Sequence, residues 1–118
     1  MSNKNIQTKR IYEEASEDDG YRVLVDRLWP RGVSKEKAQL DDWAKEIAPT
    51  DDLRKWFDHD PDKFEEFTKR YKKELEANTD QLENIANKAR DKKVTLLYGA
   101  KDEEHNQAIV LKNILQQH

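Results

Sequence analysis

The chain has no cysteine. That absence removes disulfides, thiolate nucleophiles, iron–sulfur clusters and cysteine-based zinc sites together. Histidine is scarce: His59, His105 and His118 are the only imidazoles, and the last stands at a C-terminus expected to fray. Three glycines, none clustered, leave no glycine-rich loop to wrap a phosphate. No apolar run approaches the ~20 residues of a membrane-spanning helix. The first residues also lack the apolar core of a signal peptide, so a cytoplasmic location without a membrane partner is expected. Nor does one charge dominate: 22 Lys and Arg against 25 Asp and Glu give a formal net charge of −3. Bulk attraction to nucleic acid is therefore not expected, and any anion site has to be a local patch.

What is present argues for a folded domain. Charged residues make up 40% of the chain and hydrophobic ones 35%, a ratio that borders on disordered sequences. Three Trp, four Tyr and three Phe tip the balance, because disordered chains are poor in large aromatics. A length of 118 residues suits one domain spanning 1–118, with no linker or repeat in view.

The pattern along the chain alternates strands and helices. Residues 1–5 are polar and expected to be loose, and Ile6 to Tyr12 reads as a short strand. Asp19-Gly20 marks a turn. Tyr21 to Leu28 then carries Val23, Leu24 and Val25 in succession, and Val94 to Tyr98 is a second such run. Consecutive apolar, β-branched residues suit strands covered on both faces, as in parallel sheets. Between them Ser34 caps a short helix to about Leu40. Asp42–Ala48 reads as either strand or helix, with strand preferred. Thr50 opens a helix carrying Leu53, Trp56 and Phe57. Asp60-Pro61 opens a longer one with Phe64, Phe67, Tyr71 and Leu75 on one stripe. Leu82, Ile85, Ala86 and Ala89 stripe the next, and a last helix is expected from about Glu103. This order predicts an α/β fold: a small, mostly parallel sheet of three or four strands flanked by helices.

In open α/β sheets ligands bind beyond the carboxyl ends of the strands. If the two buried strands run in parallel, Asp26-Arg27-Leu28-Trp29-Pro30-Arg31-Gly32 meets Tyr98-Gly99-Ala100-Lys101-Asp102 and Glu103-Glu104-His105-Asn106 on one rim. Arginines there suit phosphate or carboxylate. The expected site has Arg27, Arg31 and Arg54 holding an anion, His105 moving a proton and Asp26 orienting or polarising. Trp29, His59, Tyr98 and Asn106 complete it.

Three long segments, DGYRVLVDRLWPRG from Asp19, APTDDLRKWFDHDP from Ala48 and TLLYGAKDEEHNQA from Thr95, resemble the YeaO-like family. That family is a branch of a larger group known only as domain of unknown function 488. The resemblance spans nearly the whole chain and implies an α/β fold without an established activity. It also implies a contrast. The larger group often has Cys after the last strand and Cys-His-Arg at the following helix, where this chain has Tyr98 and then Glu104, His105 and Asn106. Only the histidine carries over, so thiol chemistry suspected for such relatives is not available here.

Each candidate has a bland counterpart. Asp26 and Arg27 read equally as a salt bridge pinning a loop, and Trp29 to Gly32 as a rigid turn over a core indole. Trp43, Trp56 and Phe57 read as core, and His59 as an exposed helix entry. Lys69, Arg70, Lys72 and Lys73, interleaved with glutamates, read as a solvated helix face. A metal site drawn from His59, His105, Asp26 and Glu104 needs long-range coincidence, so no metal and no cofactor are expected. Two functions remain: an anion-binding domain, with an enzyme acting on a phosphate-bearing nucleotide or nucleic-acid end among its forms, and a non-enzymatic module meeting a protein or DNA partner. DNA is disfavoured by the net charge and the lack of a winged-helix pattern. Nothing in the sequence sets the oligomeric state.

Overall fold

The computed structural model describes residues 5–117; residues 1–4 and His118, and the expectations placed on them, lie outside that range. The most apolar strands take the interior of the sheet. Strands β1 (Ile6–Arg10), β2 (Tyr21–Leu24), β3 (Asp42–Trp43) and β4 (Val94–Tyr98) form one four-stranded sheet in the order β1-β4-β2-β3. All three pairings are parallel. Strand β4, buried from end to end, lies between β1 and β2, with Leu96 opposite Val23 and Leu97 opposite Leu24. The two runs read as buried strands are therefore neighbours pointing the same way, and their carboxyl ends share an edge.

Alternation along the strands divides the apolar side chains between two cores. Val23, Val25, Val94, Leu96 and Tyr98 join the larger core. Leu24, Leu97 and Ile11 join a smaller one with Val33, Ala38, Trp29 and Trp43. Helices α1 (Lys35–Ala38), α2 (Asp51–Phe57), α3 (Phe64–Leu75), α4 (Thr79–Asp91) and α5 (Gln107–Gln117) follow in chain order. The stripes behave as their 3.6-residue spacing requires: Phe67, Tyr71 and Leu75 of α3, Leu82, Ile85, Ala86 and Ala89 of α4, and Ala108, Leu111 and Leu115 of α5 are all buried. Phe57 stacks on Phe67 with ring centroids 4.3 Å apart, docking α2 on α3.

Three local expectations give way. The strand expected over Tyr21–Leu28 ends at Leu24, with Val25 N–H adding one last bond to Leu97 at 3.0 Å. Past it the chain turns, and the Asp26 carbonyl accepts the Trp43 indole N–H at 2.7 Å. Asp42–Ala48 contributes only the two residues of β3; Lys45–Ile47 is a single 3-10 turn that drops Ile47 into the larger core. The last helix begins at Gln107, not near Glu103. Asp102 Oδ1 accepts the N–H groups of Glu104 and His105, each at 2.9 Å, holding a turn that competes with the helix. Asn106 then caps α5 by accepting Ile109 N–H at 3.1 Å.

Gly20 sets the entry to β2. Its φ of 65° and ψ of −128° suit glycine alone, and a Cβ would lie 2.2 Å from the Lys93 carbonyl oxygen, which Tyr21 N–H already occupies at 2.8 Å. Gly20→Ala is expected to destabilise the domain by about 1–3 kcal/mol. Urea unfolding checks this, and a loss under about 0.5 kcal/mol counts against it.

Candidate functional site

Beyond the ends of β2 and β4 lies a crevice of about 820 Å³. A volume of this order accommodates a small organic ligand. Its walls come from the loop after β2 (Asp26, Arg27, Leu28, Trp29, Pro30 and Arg31), from α2 and the turn after it (Arg54, Phe57 and His59), and from the loop after β4 into α5 (Gly99 to Asp102, and His105 to Gln107). Pro49 and Phe67 close the remaining side. Of the nine residues singled out in the sequence, eight line this one space: Asp26, Arg27, Trp29, Arg31, Arg54, His59, His105 and Asn106. Tyr98 does not. It is 2% exposed and packs in the larger core beneath.

Asp26 sits where the two strand ends meet. Its Oδ2 accepts Gly99 N–H at 2.8 Å, and its Oδ1 accepts the Gln107 side-chain amide. Despite these donors, burial pushes its carboxyl up to about 6, with the Arg54 charge and both hydrogen bonds acting in the opposite direction. No salt bridge joins it to Arg27 among the described residues. Arg27 turns away, donating through Nε to Pro49 O and through Nη2 to Ala48 O, both at 2.9 Å. This arginine is a clamp. It fastens the chain just ahead of α2 to the loop after β2, while Thr50 caps α2 and donates its hydroxyl to Glu74 of α3 at 2.6 Å. The clamp thereby brings Arg54 and His59 to the crevice.

His59 reaches its place through uncommon backbone: Asp58 and His59 both have positive φ, 48° and 55°. Successive left-handed residues without glycine are costly, and they let the chain reverse between α2 and Pro61. His105 is held through Nδ1 to Asp102 Oδ2 at 2.9 Å, with its ring set edge-on to Phe64. Hydrogen bonds from the Glu104 and His105 N–H groups keep the Asp102 carboxyl below its ordinary range. An ionised Asp102 can only accept, so Nδ1 is the ring nitrogen that donates to it. Asn106, 1% exposed, is taken up by its cap and by donation to Asp102 O at 2.9 Å. Among the described residues no group of three or more His, Asp or Glu side chains converges as metal ligands.

Four cationic side chains, Arg27, Arg31, Arg54 and Lys101, thus face two carboxylates, Asp26 and Asp102, in a chain of negative net charge. Arg27 is spoken for. Arg54 has only a loose, exposed pairing with Asp51 at 3.5 Å, and neither Arg31 nor Lys101 has an ion pair among the described residues. Sequence reasoning gave no role to Lys101, Gln107, Phe57 or Phe67. The two phenylalanines were read as core, and they are core, but one edge of each also forms the crevice wall. The indoles offer little free surface. Trp29 donates its N–H to Val33 O at 2.6 Å and meets Trp43 edge-on, and Trp56 lies under Lys63 and Arg70.

A parallel four-stranded α/β domain with a cation-rimmed crevice at its strand ends is the class that fold and site define. The chain belongs to the inactive DUF488-N3 subclade, whose family model matches residues 5–118. It is 44% identical to the uncharacterised protein YeaO of Escherichia coli K12 over 111 residues, 94% of this chain and 96% of that protein. It is 46% identical to the uncharacterised proteins Mb3100c of Mycobacterium bovis and Rv3073c of Mycobacterium tuberculosis over 70 residues, 59% of each chain compared. No solved structure matches it. Among the described residues no helix is long and apolar enough to cross a membrane.

Proposed function

We propose that the crevice binds a small phosphate-bearing anion of the nucleotide class, and that the domain works by binding rather than turnover. The observation that carries this is the group of cations, Arg31 and Lys101 without an ion pair among the described residues and Arg54 only loosely paired, around an opening whose wall is apolar through Phe57, Phe67, Pro49 and Leu28. Cations recognise the phosphate, and the apolar wall receives the remainder of the ligand. The description of the subclade as inactive supports binding without catalysis.

Thermal unfolding with AMP, ATP and inorganic phosphate tests the reading. A ligand at a hundred times its Kd is expected to add about 2.7 kcal/mol of stability. Replacing Arg31 and Lys101 together by alanine is expected to weaken binding by roughly tenfold or more, since each charged hydrogen bond contributes ~1.5–3 kcal/mol. A transition unmoved by every compound sinks the proposal.

One observation favours a second reading, an enzyme acting on a phosphate-bearing nucleotide or nucleic-acid end. His105, oriented by Asp102, keeps Nε2 for proton transfer. Phosphate release from such a substrate, lost in His105→Ala, supports that reading over simple binding.

A further inference from the structure

An anion site with a carboxyl group in its wall needs an account, because two negative charges in a partly desolvated space repel each other. Asp26 is that group. Gly99 N–H and the Gln107 amide hold its two oxygens from opposite elements, the end of β4 and the first residue of α5, so it cannot swing out of the way. The close fit reinforces this: a Cβ on Gly99 would lie 3.0 Å from Asp26 Oδ2. Each oxygen still has a lone pair to offer. A proton placed between carboxylate and ligand turns the repulsion into a short, charge-assisted O–H···O⁻ bond.

We propose that the crevice selects oxyanions that carry their own proton, phosphate over sulfate, with Asp26 accepting the hydrogen bond from the bound anion. The inference rests on the anion-binding reading and concerns the phosphate group: a phosphomonoester, whose second ionisation lies at about 6, meets Asp26 with a proton of its own only on the acid side of neutrality. Inorganic phosphate is still protonated at mildly alkaline pH, whereas sulfate is not. To bind sulfate, Asp26 must itself take a proton from solvent and donate it.

The surroundings make that second route dependent on pH. Burial already holds the Asp26 carboxyl up to about 6. Arg54 of α2 works against that rise. Tyr71 of α3 gives its hydroxyl to Ile47 O and stays neutral, and Arg27 is engaged by backbone carbonyls. Lys101, His59, His105 and Asp102 face the same opening. Phosphate passes from monoanion to dianion between about pH 5.5 and about pH 8 while sulfate stays a dianion, so the share of the ratio due to Asp26 is read against the same ratio in Asp26→Asn.

Calorimetric titration of the full chain with sodium phosphate and sodium sulfate, at matched ionic strength, tests this at about pH 5.5 and about pH 8. Sulfate affinity is expected to fall toward tenfold per unit above the Asp26 ionisation. Preference for phosphate should therefore grow from within about threefold in acid to at least tenfold in alkali. In Asp26→Asn, whose amide can donate to sulfate at any pH, only the change due to phosphate's own ionisation is expected to remain, well short of the wild-type change. A ratio in the wild type that does not change with pH, with both anions bound, overturns the proton selection and leaves the anion site standing. A pH-dependent preference as large as the wild type's persisting in Asp26→Asn also overturns it. Binding of neither anion overturns the proton selection, and the anion-binding reading falls with it when AMP and ATP also leave thermal unfolding unmoved.

Discussion

Asp19→Ala is expected to lower the stability of the domain by about 3–5 kcal/mol at neutral pH, the usual cost of leaving one partner of a buried ion pair alone. Asp19 and Arg22 are 2% and 4% exposed and pair at 2.5 Å. Arg22 spends its remaining donors on the carbonyls of Ala38 and Gln39, at 2.7–3.2 Å. Asp19 also accepts from Lys9 Nζ at 3.1 Å, from Gln7 at 3.3 Å and from Ser16 N–H at 3.0 Å. The network ties β1, β2 and the end of α1 across one face of the sheet. Burial pushes the Asp19 carboxyl up, but the bonds from Ser16, Lys9 and Arg22 outweigh it and hold it below its ordinary value. Its contribution is therefore complete above the unfolded value near 4 and drains away as pH falls through the lower folded one. Urea unfolding across pH should show the variant losing most at neutral pH and having a flatter acid limb. A neutral-pH loss below about 1 kcal/mol contradicts the network's importance.

The Asp26→Asn substitution should act in the opposite direction. A carboxyl raised from 3.8 to about 6 keeps its proton in the folded chain after the unfolded chain has released it. Stability then falls as pH rises between those values, and above them the ionised group costs up to about 3 kcal/mol. Asparagine has no charge to bury. Its Oδ1 can still accept Gly99 N–H, while the Gln107 amide turns over to meet the new NH₂ group. The variant is expected to be more stable than the wild type by about 1–3 kcal/mol near pH 8 and no more stable near pH 4. Unfolding midpoints at the two pH values decide it. An equal gain at both, or a loss at the alkaline one, refutes the account. A residue that lowers the stability of its own fold at neutral pH suits a site kept for binding.

Both substitutions address groups that the sequence presented unequally. Asp26 follows three buried residues and precedes an Arg-Leu-Trp-Pro run, so its place at a strand end could be read from hydrophobic pattern alone. Asp19 stands in an acidic stretch and looked like ordinary turn chemistry. Its burial depends on Arg22, an arginine inside a strand, reaching across to carbonyls sixteen and seventeen residues further on. No local pattern encodes such a reach. Arg27 was ambiguous for the same reason: an arginine at a strand end serves an anion or a backbone carbonyl equally well, and two of its donors go to the Ala48-Pro49 segment that packs against it.

The start of α5 is a milder case. Asp102 and Asn106 both belong to residue types that compete with helix through side-chain bonds. From the sequence either could have been the cap. Asp102 became a turn that orients His105, and Asn106 became the cap, because burial of Ala108 and Leu111 sets where the helix can lie against β1 and β4.

Local composition and periodicity were enough for the α/β class, the two buried strands, the amphipathic helices and the gathering of cationic and imidazole side chains at one end of the sheet. Each of those follows from residues near one another in the chain and from the requirement that apolar faces be covered. Which arginine faces the opening, which aspartate is buried with a partner, and where Asp26 finds its two donors were set by segments distant in sequence and neighbours in space. Hydrogen-bond donors choose among acceptors by distance and direction, and those exist only once the strands are in register.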